Sequence, residues 1–407
     1  MKRYDLIDGM RGYFLVFMLI NHLIFAGGYW LVQINHNQLA FVEDAQGFVF
    51  LSGLLIGMVY VRKMAKNGYE VGRNAIYSRA FELYRYAMGI VLCVLAAQMI
   101  LPGAYHLWYN WLGYTTFDDP LRLAAIATFV FQPTFMDILP QYIIYMLFAP
   151  FLVKLVIDGK WAHVMAGSLI LWMAGQLGLQ KLVTDPIHQF FMGSDEQGVR
   201  VSFNLLGWQI VFYSGLVLGA LTSLNRIEWG RIFSPQNTFI PTISALICAF
   251  FLPLRIMTAH GLMPGDVIGK FATMEIRADF GPVYLINFVA AATLITWLVI
   301  AGPQHKALWV RRIGQGIIWV LSLKFLQLLG RHSLYVYVWH VGIVYAVYYL
   351  DGRTPELSEL TKTAIAVTCV ALLAVPALWR ERDKWFGTAT VAPRRPQTVK
   401  VATLNKR

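Results

Sequence analysis

Apolar runs of about 17–25 residues recur along the whole chain, divided by short polar segments. A run of that length can cross a bilayer as a helix, because its backbone N–H and C=O groups pair within the segment. The runs are continuous rather than alternating, which argues against a membrane barrel. They predict helices over 12–32, 46–62, 77–101, 139–157, 162–182, 205–224, 238–257, 281–301, 332–350 and 361–380. The expected fold class is all-α: a polytopic integral membrane helical bundle of about 10 transmembrane helices, with N- and C-termini cytoplasmic. Residues 1–385 form the transmembrane domain, and 386–407 read as a basic, disordered cytoplasmic tail. Two apolar stretches fit the count less well. "LRLAAIATFVFQPTF" (121–135) is short and is expected as a re-entrant or interfacial helix on the outer side. "IGQGIIWVLSLKFLQLL" (313–329) is interrupted by Lys324 and is expected at the inner surface. If both spanned, the count would rise to about twelve.

Composition agrees with this pattern. Of 407 residues, 57% are hydrophobic and 14% charged, and the mean hydropathy is +0.55. A net charge of +12 would otherwise point to nucleic acid. With both termini inside, however, Lys and Arg gather on the cytoplasmic segments and acidic residues on the outer ones, so topology accounts for the charge. The first run is too long for a signal-peptide core and lacks an A-x-A-like site, so it is read as a retained span. Cys93, Cys248 and Cys369 each fall within an apolar run, which favours core roles over a disulfide framework or a zinc site. No metal site is expected, and no phosphate-binding glycine loop, H-E-x-x-H or G-x-S-x-G is present.

Polar side chains within the apolar runs carry the functional information, since burying them in lipid is costly. Asp8, Arg11, Leu15, Met18 and His22 share one face of the first helix, with His22 about 15 Å deeper than Arg11. In "LGRHSLYVYVWH", Ser333, Tyr337 and His340 fall at i, i+4 and i+7 and form a second stripe. Glu43 and Asp44 open the second span, where Ser52, Gly53 and Gly57 permit close helix packing. Arg79 and Arg85 open the third span; they are placed either as snorkelling anchors or as phosphate clamps. Asp137, Trp208 and Gln209 stand at an outer mouth, suited to a hydroxylated acceptor or to an aromatic belt. Each stripe also has a structural reading, as a capped helix end, aromatic packing or a buried histidine bonded to a neighbouring helix.

"DLIDGMRGYFLVFMLINHLIF" resembles the opening helix of the membrane acyltransferase type 3 superfamily, and "FVFLSGLLIG" and "GRHSLYVYVWH" are similar to two further motifs of that group. Within it, "RAFELYR", "DILPQYIIYMLFAPFL", "FNLLGWQIVFYSGLVLG" and "LGRHSLYVY" resemble the OpgC family, the succinyltransferases of osmoregulated periplasmic glucans. The motifs follow in order from about residue 4 to 345. Two features depart from the pattern: "IRADFGPVYLINFVAA" replaces an expected basic-Leu-Gly-Pro-Leu-Arg stretch, and His340 looks more like the wider superfamily.

The resemblance implies a multi-pass enzyme of the bacterial cytoplasmic (inner) membrane. It would move an acyl group, succinyl or acetyl, from cytosolic acyl-CoA to a hydroxyl of a periplasmic glucan or another extracytoplasmic glycan. His22 would be the general base, with Asp44 or Glu43 orienting its tautomer. Asp8, Arg11, Arg79 and Arg85 would hold the CoA phosphates. Asp137, Trp208, Gln209, Tyr337 and His340 would bind the acceptor. Direct transfer is favoured because no Ser or Cys nucleophile lies beside a base, with an acyl-His intermediate as the other route. The competing reading is a transporter or flippase, which would also need polar stripes at mid-membrane.

Overall fold

The computed structural model describes residues 3–193 and 195–385, and the 386–407 tail lies outside the described residues. The main helices are α1 (Arg3–His22), α2 (Asp44–Asn67), α3 (Tyr69–Ile100), α4 (Ile138–Ile157), α5 (Trp161–Gln176), α6 (Lys181–Phe191) and α7 (Leu205–Ser223). They continue with α8 (Phe239–Ala259), α9 (Pro282–Ile300), α10 (Leu308–Leu321), α11 (Lys324–Arg331), α12 (Ser333–Asp351), α13 (Glu359–Leu372) and α14 (Ala374–Trp385). Shorter helical turns fill the loops. Among the described residues the only β pairing is an isolated bridge between Phe131 and Arg200.

Among the described residues, eight helical segments are long and apolar enough to cross a membrane: α2, α3, α4, α7, α8, α9, α12 and the continuous α13–α14 stretch. Two bent pairs, α5–α6 at 58° and α10–α11 at 55°, raise the number to ten if each pair is one span. The polytopic helical reading therefore holds, but α1, expected as the first span, is not among these candidates, and three boundaries are corrected. The first helix runs over Arg3–His22 rather than 12–32, and Gly27 and Gly28 (φ 74° and 73°) turn the chain in the segment that follows. His22 is thus the last residue of α1 and not its midpoint. The basic segment between spans two and three is almost wholly helical, and α2 and α3 are separated only by Gly68 at φ 89°. The 162–182 run is bent into α5 and α6. Of the two poorly fitting stretches, 121–135 holds an eight-residue helix, Pro120–Ala127, too short to cross. The other, 313–329, breaks between α10 and α11.

Glycines set the helix spacing around the site. Gly53 and Gly57 of α2 meet the backbone of α7 at Phe212 and Leu216, while Gly215 and Gly219 of α7 meet α2 at Phe50 and Leu54. A Cβ at any of these positions would strike backbone, so the two helices lie in parallel contact. Gly9 and Gly12 of α1 press in the same way on the carbonyls of Leu321 and Leu326. This explains the D-G-M-R-G spacing and fixes the rotation of α1, turning Leu15 and Met18 into the core.

Candidate functional site

The polar faces of α1 and α12 meet at two levels. Near one end, Arg11 Nη2 donates to Ser333 Oγ at 2.5 Å, and its guanidinium lies over the Phe48 ring at 5.5 Å. Further along both helices, His22 Nδ1 and His340 Nε2 are 3.1 Å apart. The two contacts advance together along α1 and α12, so the helices run in the same direction. Between the levels lie apolar side chains, with Phe48 stacked on Tyr337 at 6.4 Å.

Hydrogen-bond logic fixes the tautomers of this histidine pair. His340 Nδ1 is bonded to the backbone carbonyl of Tyr337. A carbonyl only accepts, so Nδ1 carries the proton, and the Nε2 of a neutral ring then has a lone pair. His22 Nδ1–H donates to that lone pair, which leaves His22 Nε2 as a base. Among the described residues Nε2 has no hydrogen-bond partner, and the residue is only half-buried, whereas His340 is fully buried. Phe135, at φ 67°, lies on the His22 ring with centroids 4.4 Å apart. Tyr337 Oη donates to the Phe135 carbonyl at 2.9 Å, and Tyr345 Oη to the Thr134 carbonyl at 3.1 Å. The ring that covers His22 is thus held by α12 as well.

A second polar group sits beside this pair. Asp44 Oδ2 accepts from Asn21 at 2.5 Å and from Asn35 at 3.2 Å, and Asp44 Oδ1 lies 3.7 Å from His36 Nε2. Glu43 caps α2 in a reciprocal box with Gln46 and pairs with Arg277 Nη2 at 3.2 Å. Arg277 is an electrostatic neighbour of His22, Asp44 and Asp137 together. Asp137 stands just before α4, and burial raises its pKa, against the pull of a Ser202 hydrogen bond and the Arg277 charge.

At the other end of the α1 face, Arg11 and Arg79 both adjoin Tyr142. Arg79 pairs with Glu82 at 2.6 Å, and Glu82 accepts from Tyr335 Oη at 3.3 Å. Asp8 lies among Arg11, Arg331 and His332.

The OpgC protein family matches residues 3–385, nearly the whole chain. This chain belongs to the OpgC family. OpgC membership implies a transferase role, that of an acyltransferase. A separate similarity is partial. A stretch of 133 residues is 27% identical to the probable potassium transport system protein Kup 3 of Dechloromonas aromatica (strain RCB), covering 33% of this chain and 19% of that protein. No solved structure matches.

Set on this OpgC bundle, the expected site residues separate. Asp44 does not orient His22, because its carboxylate is taken by Asn21 and Asn35; the ring partner of His22 is His340. Glu43 acts as helix cap and ion-pair partner. His340 and Tyr337, expected at the acceptor, are buried behind His22: one binds its ring and the other anchors Phe135. Trp208 is fully buried and donates its indole N–H to the carbonyls of Arg277 and Ala278 at 3.1 Å. Gln209 clamps Ser168 through both amide atoms, at 2.6 and 2.7 Å, and joins α7 to α5. These two polar residues hold helices and a loop, so neither is free for a sugar. Arg85 projects about 120° away from Arg79 on α3, is exposed, and stacks over Phe81 at 5.4 Å. Asp137 is buried just before α4, with the Arg277 charge acting on it.

Two residues escaped the sequence reading. Arg277 lies in "IRADFGP", the stretch noted for departing from the family pattern, so its position carried the signal. His36 sits in a polar loop with no motif, and only the folding of that loop onto Tyr13 and Asp44 reveals it. No group of three or more His, Cys, Asp or Glu among the described residues has metal-holding geometry. An apolar groove of about 410 Å³ between α8 and α9 contains none of the site residues.

Proposed function

We propose that this OpgC-family chain is an O-acyltransferase that moves a succinyl group from cytosolic acyl-CoA to a hydroxyl of a periplasmic glucan, with its termini in the cytoplasm. One observation carries the reading: the relay from the Tyr337 carbonyl through His340 ends at the unbonded Nε2 of His22. A sugar hydroxyl is a weak nucleophile at neutral pH, and a positioned imidazole can take its proton during attack. In the reaction, Nε2 accepts the hydroxyl proton as the oxygen attacks the thioester carbonyl carbon. The tetrahedral intermediate collapses with cleavage of the C–S bond, and the imidazolium returns the proton to the departing sulfur. While His22 is charged, His340 Nε2 accepts from its Nδ1–H and stabilises it. Arg11 and Arg79 suit the CoA phosphates, and the separation of Arg11 from His22 along α1 leaves an apolar stretch for the thioester arm.

The test is transfer from succinyl-CoA to a glucan acceptor by purified protein in proteoliposomes, read as ester mass on the glucan. His22→Ala should lower the rate by roughly 10²–10⁴-fold while the protein still inserts. A His22→Ala protein with wild-type turnover would remove the mechanism. A wild-type protein that transfers acetyl but not succinyl would correct the donor alone.

A further inference from the structure

We propose that Arg277 binds the terminal carboxylate of a dicarboxylic acyl group and so selects a succinyl-type donor over a neutral one; the inference rests on the acyl-CoA reading above. Arg277 stands at the end of the bundle where α1 stops and α2, α7 and α9 begin, beyond His22 as seen from Arg11. The link is short: Arg277 pairs with Glu43, the next residue Asp44 accepts from Asn21, and Asn21 precedes His22. A thioester that arrives from the Arg11 end and reacts at His22 directs the remainder of its acyl group toward this guanidinium.

The donors of Arg277 are largely uncommitted. A guanidinium offers five N–H groups, and here one nitrogen meets a carboxylate, at 3.2 Å, while the side chain is 52% exposed. Its face lies over Phe203 at 5.9 Å, which leaves the fork edge open. Other arginines on this side are occupied. Arg122 is buried against Asp195 at 2.5 Å. Arg200 donates to the Asn110 carbonyl, Thr134 and Gln197. Arg255 donates to the Asn37 carbonyl and pairs with Glu275. Among the described residues, Arg277 is also the cation whose charge acts on His22, Asp44 and Asp137 alike. An open guanidinium fork favours a carboxylate through paired, charge-assisted hydrogen bonds, which a methyl terminus cannot accept.

The experiment compares succinyl-CoA with butyryl-CoA, which keeps the chain length and lacks the carboxylate, on wild type, Arg277→Gln and Arg277→Lys in the full-length protein. The loop is held by the backbone carbonyls of residues 277 and 278, which the substitution leaves in place. The readout is the succinyl-to-butyryl ratio of kcat/KM within one preparation, so the amount of folded protein cancels. Arg277→Gln should lower that ratio about 10- to 100-fold, the worth of hydrogen bonds to a charged group, and Arg277→Lys should recover part of it. A ratio unchanged in Arg277→Gln overturns the proposal, whether both rates fall or neither does. A wild type that transfers butyryl at least as well as succinyl also overturns it, and leaves the acyltransferase reading intact. Wild type with no transfer from any acyl-CoA overturns both.

Discussion

Replacing His340 by alanine separates a working relay from simple packing. His340 is fully buried and provides the acceptor for His22 Nδ1–H at 3.1 Å. Alanine leaves that N–H in a site without an acceptor, a cost of about 1–3 kcal/mol. The ring can escape this cost in two ways, and both damage the base. It can rotate under Phe135, which moves Nε2 away from the acceptor hydroxyl. It can also shift its proton to Nε2, which removes the lone pair. At 1.36 kcal/mol per decade, the same energy corresponds to a fall of about 5- to 150-fold in kcat. The KM for acyl-CoA should stay within about twofold, because the Arg11–Ser333 contact lies two turns away along α12. His340→Gln places an amide oxygen near the lost Nε2 and should recover part of the rate. Steady-state transfer of succinyl from succinyl-CoA to glucan, normalised to folded protein, gives all three values. Wild-type kcat in His340→Ala would refute the relay, and His340→Gln slower than His340→Ala would refute the tautomer assignment.

Other consequences follow from the same contacts. Arg79→Gln should raise the KM for acyl-CoA by about tenfold, whereas Arg85→Gln, on the other side of α3, should leave it within about twofold; equal effects would return both to one clamp. Lys362 is buried and donates to the carbonyls of Ala26 and Gly28 at 2.7 and 2.9 Å, so it holds the turn that follows His22. Lys362→Met should lower kcat about tenfold and also lower the melting temperature, with the KM for acyl-CoA unchanged; a loss confined to KM would count against a positioning role. Burial pushes His36 from 6.5 down to about 4. As pH falls through that window the unfolded chain takes up a proton that the folded chain refuses, so stability declines. His36→Gln should flatten the decline between pH 7 and pH 5 in thermal melts, and parallel slopes would exclude His36 as its source.

The helical membrane class was legible because about twenty continuous apolar residues have few other uses. The α1 and α12 stripes were legible for a related reason: a polar residue repeated at helical spacing inside such a run needs a partner. Their pairing with each other was not, since 318 positions separate His22 from His340 and spacing carries no information across that distance. The end of α1 differs from the apolar run because Leu23, Ile24 and Phe25 prolong that run, while the helix stops at His22 and two glycines turn the chain beyond them. Trp208 and Gln209 were assigned to sugar binding on chemical type alone. A buried amide or indole satisfied by backbone has the same sequence signature as one that awaits a ligand, and only burial and partners separate the two.

The two contacts between α1 and α12 also explain why position 11 is an arginine. Arg11 and His22 are eleven residues apart, but their partners Ser333 and His340 are seven apart. At 1.5 Å per residue the difference is about 6 Å, so with the histidines level the backbone of Arg11 lies roughly one turn below that of Ser333. The side chain must climb that turn to reach the hydroxyl. A snorkelling arginine would extend the other way, toward water. Drawn inward over Phe48, the guanidinium keeps its Nε buried without a protein partner. A buried donor left unpaired is costly unless something else uses it. An anionic group entering the bundle from the Arg11 end would meet that nitrogen before it reached the apolar stretch and His22. On the proposed acyl-CoA reading, the unequal spacing orders the site along one axis, with charge recognition first and the base about three turns further in.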